Sequence, residues 1–171
     1  GTSLLLRGER AEAGDVLSDA LDAAYGARRP IPVTVGYILA RQAQWALASG
    51  DAASAAQLAA ESHSCIAHLN AQAAGRAEGL RAVALAHLGE HAEARRLAER
   101  AEAVERERGS SVRLATVLAR RGVVAWLAGE ADRAIEVLDE AEAALRRTQT
   151  GPLGIAGVAV AELRRYASSQ G

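Results

Sequence analysis

The chain has 171 residues, half of them hydrophobic by count but only 3% aromatic, with neither Phe nor Met. That length is room for one domain or one short run of repeats, and an Ala-dominated hydrophobic fraction points to helices, because Ala loses no side-chain entropy there. The net charge of −1 offers no whole-chain attraction to nucleic acid or to an anionic membrane, and the apolar runs fall short of the roughly 20 residues a membrane span needs. A single Cys cannot close an internal disulfide, which leaves the redox compartment open, with a reducing cytoplasm as the default expectation.

Taken in chain order, Leu4–Arg7 reads as the end of a lost leading helix. A first full helix is expected over Glu9–Tyr25, stopped by Gly26 and by Arg28-Arg29-Pro30-Ile31-Pro32. Further helices are expected over Val33–Ala48, Ala52–Leu69, Ala71–His87 and His91–Arg108, the last ended by Gly109-Ser110. Ser111–Ala128 and Ala131–Arg147 follow. After Thr150-Gly151-Pro152 a capping helix is expected over Leu153–Ala167. No strand is expected.

Four glycines carry a common pattern. Gly8, Gly50, Gly89 and Gly129 stand 42, 39 and 40 residues apart, and each is followed at once by an acid: Glu9, Asp51, Glu90, Glu130. Ala13, Ala55, Ala94 and Ala134 stand five residues after them. Twelve after them come Ala20, Ser62, Ala101 and Ala141. A glycine able to take the left-handed conformation ends one helix, and the acid belongs in the first turn of the next, where unpaired N–H groups and the macrodipole favour negative charge. Small residues seven apart are two helical turns apart, which marks a seam of close helix approach. The divisions are a partial repeat over about 1–30, repeats over 31–70, 71–109 and 110–150, and a cap over 152–168. One such hairpin cannot bury enough apolar area alone, so stacking must supply the core. Leu17, Leu21, Leu58, Leu97, Val104, Val137, Leu138 and Leu145 should face inward from the trailing helices. Leu39, Trp45, Leu85, Leu118 and Leu127 should fill from the leading ones.

These positions resemble the tetratricopeptide repeat, with Ala94 and Ala101 at its two small positions, over the chain from Gly8 to about Leu145. The period near 40, against about 34, and the long trailing helices are more similar to the superhelical domains of large LuxR-type bacterial transcription activators and regulatory ATPases. The resemblance implies an all-α, right-handed α-α superhelix of about eight antiparallel helices, a single helical-repeat domain over 1–171. It implies a non-catalytic module for transcription regulation or signal transduction that binds a protein or peptide segment or senses an effector. The Gly-Thr-Ser start without Met suggests a fragment of a longer protein. In such solenoids, residues thirteen, ten, six and three before the turn glycine face a concave groove. Here these are Tyr37, Ala40, Gln44 and Leu47; Arg76, Gly79, Val83 and Ala86; Thr116, Ala119, Val123 and Trp126. Tyr37 and Trp126 would anchor an occupant, with Arg76 free to hold a carboxylate, although Trp126 could equally be core.

Residues suited to catalysis or metal binding do not assemble. His87-Leu88-Gly89-Glu90-His91 spells H-x-x-E-H, a zinc-peptidase pattern, but Gly89 is a corner glycine, so the two His straddle a turn. His63, Cys65 and His68 lack a fourth ligand. Gly151-Pro152-Leu153-Gly154-Ile155-Ala156-Gly157 has neither the preceding strand nor the Lys of a phosphate loop. The Arg/Glu-rich run 93–108 is expected to pair within its own helix, as Glu99 with Arg95 and Glu102 with Arg106, leaving no basic surface for nucleic acid. No metal, cofactor or catalytic residue is therefore expected. The last helix is apolar on several faces (Ile155, Val158, Val160, Leu163), which suggests a cover, as in a homodimer or scaffold.

Overall fold

A computed structural model describes residues 9–27, 31–148 and 154–168 of the chain. Among them there are eight helices and no strand: α1 (Arg10–Gly26), α2 (Pro32–Ala48), α3 (Ala52–Ile66), α4 (Ala71–His87), α5 (His91–Arg108), α6 (Ser111–Leu127), α7 (Ala131–Arg146) and α8 (Ile155–Ser168). Each packs against the next, α2 and α6 also touch α4, and α8 closes the stack against α6 and α7. This is an all-α solenoid of helical hairpins. Leu4–Arg7 and Gly8 lie outside the described residues.

Three corners share one geometry. Gly50, Gly89 and Gly129 take φ of 83°, 84° and 80°. The residue after each donates its N–H across the corner at 2.9 Å, Asp51 to Ala46, Glu90 to Leu85 and Glu130 to Ala125. That six-to-one bond with a left-handed glycine is the Schellman closure, which satisfies carbonyls the helix end leaves open. The acids sit one step earlier than the sequence suggests, at the N-cap. Only Asp51 caps with its side chain, accepting from the Ser54 N–H at 3.0 Å. Glutamate carries one more methylene, and Glu130 reaches out to Arg95 instead.

The seam of small residues is the densest part of the stack. Ala13, Ala55, Ala94 and Ala134 are fully buried, as are Ser62, Ala101 and Ala141, while Ala20 is half-buried. Ser62 donates its hydroxyl to the Gly36 carbonyl at 2.7 Å, a bond that needs α2 and α3 in near-backbone contact. Gly36 makes that approach possible, since a Cβ there would collide with Ile66. Of the expected core, Leu17, Leu39, Leu85, Leu97, Leu118 and Val137 are buried. Leu21, Trp45, Leu58, Val104, Leu127, Leu138 and Leu145 are half-buried.

Two local expectations are corrected. Helix α3 ends at Ile66 rather than Leu69, because Asn70 caps α4, accepting from the Ala73 N–H at 3.0 Å, and donates its own N–H back to Ile66. The charged run of α5 pairs mostly between helices. Glu102 does bind Arg106 four residues on, at 2.6 Å, but also Arg121 of α6. Arg95 goes to Glu130, and Glu99 goes to Arg133 at 3.7 Å. With the hairpins this close, a long side chain reaches the next helix as readily as the next turn.

Much of the apolar surface of α8 is covered within the chain. Ala156, Gly157, Val160 and Leu163 are buried, and Leu163 lies in the space left by Gly122 of α6. Ile155 and Val158 are half-buried.

Candidate functional site

The leading helices α2, α4 and α6 form one wall of the stack, and a cavity of about 200 Å³ opens between them. Helix α2 contributes Tyr37, Ala40, Arg41 and Gln44; α4 contributes Ala73, Arg76 and Leu80. Helix α6 adds Val112, Arg113, Thr116 and Arg120, while Ile66 of α3 and Ile155 of α8 complete the lining.

Its polar chemistry is arginine. Arg76 lies over the Tyr37 ring, 5.4 Å from guanidinium carbon to ring centroid, a cation–π arrangement that fixes both side chains. Arg120 donates from Nη1 to the Arg76 main-chain carbonyl at 3.2 Å. It crosses α4 at Gly79, where a Cβ would stand 3.4 Å from its Cδ and its Nη1. Arg41 donates from Nη1 to Gln44 Oε1 at 2.9 Å. Burial pulls Arg120 down to about 10; Glu162 opposes that shift, while Arg41 and Arg76 add to it. Burial, then the charge of Arg76, lowers Arg41 as well.

None of Arg41, Arg76, Arg113 and Arg120 forms an ion pair among the described residues. Arg95, Arg96, Arg100, Arg106, Arg121, Arg133, Arg146 and Arg164 all do, while Arg81, Arg108, Arg147 and Arg165, which do not line the cavity, form none either. A guanidinium carries five N–H donors, so the cavity holds many unused donors beside apolar walls. That arrangement suits an anion with an apolar body and supplies no nucleophile–base pair.

The twelve expected groove residues divide by position: Ala40 lines the cavity, Gly79 lies beneath Arg120, and Ala86 and Ala119 belong to the main apolar cluster. Tyr37, Arg76 and Thr116, each thirteen before its corner glycine, meet in the cavity, and Gln44 joins them. Val83 and Val123 lie in the main apolar cluster, against which Leu47 packs. Trp126 is half-buried and does not line the cavity. The stripe closes toward the corners because its Ala and Val side chains are thin enough for α4 and α6 to touch. Sequence reasoning missed the residues nine before each glycine, Arg41, Leu80 and Arg120, although the recurrence of Arg at two of the three was a usable signal. Ile66 and Ile155 come from other elements, which no spacing from a corner could indicate.

The other candidates are placed apart. His87 ends α4 and His91 begins α5, on either side of the Gly89 corner. His63 faces Glu78 at 3.2 Å, and the same carboxylate oxygen takes Arg100. Cys65 is half-buried, and burial raises its thiol pKa. His68 lies past the end of α3. Among the described residues no three His, Cys, Asp or Glu side chains gather where they could hold a metal, and no helix is long and apolar enough to cross a membrane.

No family model matches the chain, and no curated protein matches it. Solved structures do match, among them a kinesin light chain with nearly identical TPR-like repeats from Podosopora anserina and a single-substitution variant of the same protein. Each is 19% identical over 99% of this chain and 83% of the other, with a TM-score of 0.65. Agreement at that identity is agreement of fold. The chain is a tetratricopeptide-like helical-repeat solenoid.

Proposed function

We propose that the chain is a non-catalytic interaction module that takes a protein or peptide segment, or senses an effector, on the surface made by α2, α4 and α6. The observation that carries this reading is the gathering, at one cavity, of four arginines that form no ion pair among the described residues, in a lining that contains no carboxylate. Side chains left with open donors on a concave wall are suited to an incoming ligand, whereas paired charges on the trailing helices hold neighbouring hairpins together. The 40-residue period supports a place in a bacterial transcription regulator or signalling ATPase, working in the cytoplasm, with 1–171 as a single helical-repeat domain. Nucleic acid is not its direct partner in this reading.

A displayed library of random peptides selected on the chain tests this. Peptides enriched on the native chain should be lost on a Tyr37→Ala/Arg76→Ala variant and kept on an Arg96→Ala/Glu136→Ala variant, whose changes lie on the trailing helices. Retention on the first and loss on the second would reject the groove as the binding face.

A further inference from the structure

We propose that the cavity between α2, α4 and α6 is a binding site for a small organic anion, a carboxylate or phosphate ester joined to an apolar body about the size of one ring. This deepens the effector-sensing side of the reading above and rests on it only for the choice of face.

Arg76 lowers the proton affinity of Arg41, and Arg41 and Arg76 lower that of Arg120; all three line one cavity that has no carboxylate in its lining. Buried like charges are retained at a cost unless something of opposite sign compensates them. Glu162 of α8 acts on Arg120 from a distance but forms no ion pair with it among the described residues. Arg120 is also held in position: its bond to the Arg76 carbonyl and its passage over Gly79 direct it across α4, toward Arg76. An anion placed there would meet a guanidinium that is already oriented, which lowers the entropic cost of binding.

Size and walls then narrow the occupant. Ala40, Ala73, Leu80, Val112 and Ile155 present apolar surface to the same space. Its volume of about 200 Å³ lies below the roughly 300–1,000 Å³ of pockets for drug-sized ligands. It exceeds the roughly 150 Å³ apolar cavity known to accept benzene. A ring with one anionic group fills such a space. An extended peptide needs the stripe to continue past it, and Val83 and Val123 close that path. Inorganic phosphate alone would leave the apolar walls bare.

The test is calorimetric titration of the whole chain in a buffer free of multivalent anions. The probes are benzoate, phenyl phosphate, inorganic phosphate, benzyl alcohol and the capped peptide acetyl-Ala-Glu-Ala-amide. Benzoate or phenyl phosphate should bind at one site with a roughly millimolar dissociation constant, as suits a ligand of about ten heavy atoms. The tighter of the two identifies the anionic group. Inorganic phosphate and benzyl alcohol, which offer charge alone and ring alone, should each bind at least about tenfold more weakly. Arg120→Gln should weaken the better probe about tenfold or more, the usual effect of losing a charged hydrogen bond, and Arg96→Gln should not. Ala40→Leu fills the space without touching a charge and should abolish ring binding with helicity unchanged, which keeps the test decisive if Arg120→Gln does not fold. No heat from either aromatic anion would overturn the proposal, as would equal binding of phosphate or of benzyl alcohol. Tighter binding of the capped peptide would also overturn it, while leaving the interaction reading standing.

Discussion

Arg120 of α6 donates from Nη1 to the main-chain carbonyl of Arg76 in α4 at 3.2 Å, so one repeat's guanidinium is anchored on the backbone of the repeat before it. The anchor keeps a positive charge inside the wall. The pKa of Arg120, pulled down by burial to about 10 in the folded chain, means that folding disfavours the charged form. The unfolded chain binds the extra proton from about pH 10 up to the ordinary guanidinium range, so this group's contribution rises with pH across that window. At neutral pH the cost is fully present. Arg120→Leu should therefore stabilise the unliganded chain by about 1 kcal/mol, raising its melting temperature by about 3 °C. Thermal denaturation in low-phosphate buffer checks it, and a lower melting temperature would show that the arginine is already compensated.

The corner glycines should respond alike. Nothing stands within 4 Å of a Cβ built at Gly50, Gly89 or Gly129, so substitution there meets only the positive φ. Gly50→Ala, Gly89→Ala and Gly129→Ala should each cost about 1 kcal/mol. Gly26, in the last turn of α1 with open space around it and no positive φ, should instead gain a few tenths of a kcal/mol on change to Ala. Urea midpoints measure both, and unlike losses at the three corners would break their equivalence.

Overpacking the seam separates contact from composition. Ala94 is fully buried and Ala92, two residues earlier on α5, is exposed. Ala94→Leu should destabilise by about 2–3 kcal/mol as α5 is forced from its neighbours. Ala92→Leu should stay within about 0.5 kcal/mol of the native chain. Chemical denaturation of the pair gives the difference directly.

His63 supplies a dependence on pH. Burial lowers its pKa below 6.5, and Arg100, Arg81 and His68 lower it further. Glu78 stands 3.2 Å from His63 and its same carboxylate oxygen engages Arg100. A base with a lowered folded pKa leaves the unfolded chain holding more protons, so stability falls as pH drops from 6.5 toward that lower value. Denaturation midpoints at pH 7 and pH 5 should converge in His63→Gln relative to the native chain. An unchanged pH slope would assign the effect to other groups.

The hairpin frame was readable because a few residues decide it. A left-handed glycine, an acid to follow, and small residues five and twelve positions on leave one local geometry, and Gly50, Gly89 and Gly129 adopt it. The end of α3 was misplaced where Asn70, a cap without a glycine, carried the signal. The groove was read only in part. Tyr37, Arg76 and Thr116 follow the repeat register, but the closure over Val83 and Val123 depends on how near two Ala-lined helices come, a three-dimensional quantity. The interhelical pairs of Glu99, Arg95 and Glu102 were hidden for the same reason.

Site-specific photo-crosslinking in the host cell tests the working face most directly. A benzophenone side chain would replace Tyr37 or Arg113 at the cavity, or Ala92 or Glu136 on the trailing helices. Adducts that form from positions 37 and 113 and not from 92 and 136 are the predicted result. Adducts confined to 92 and 136 would contradict the account.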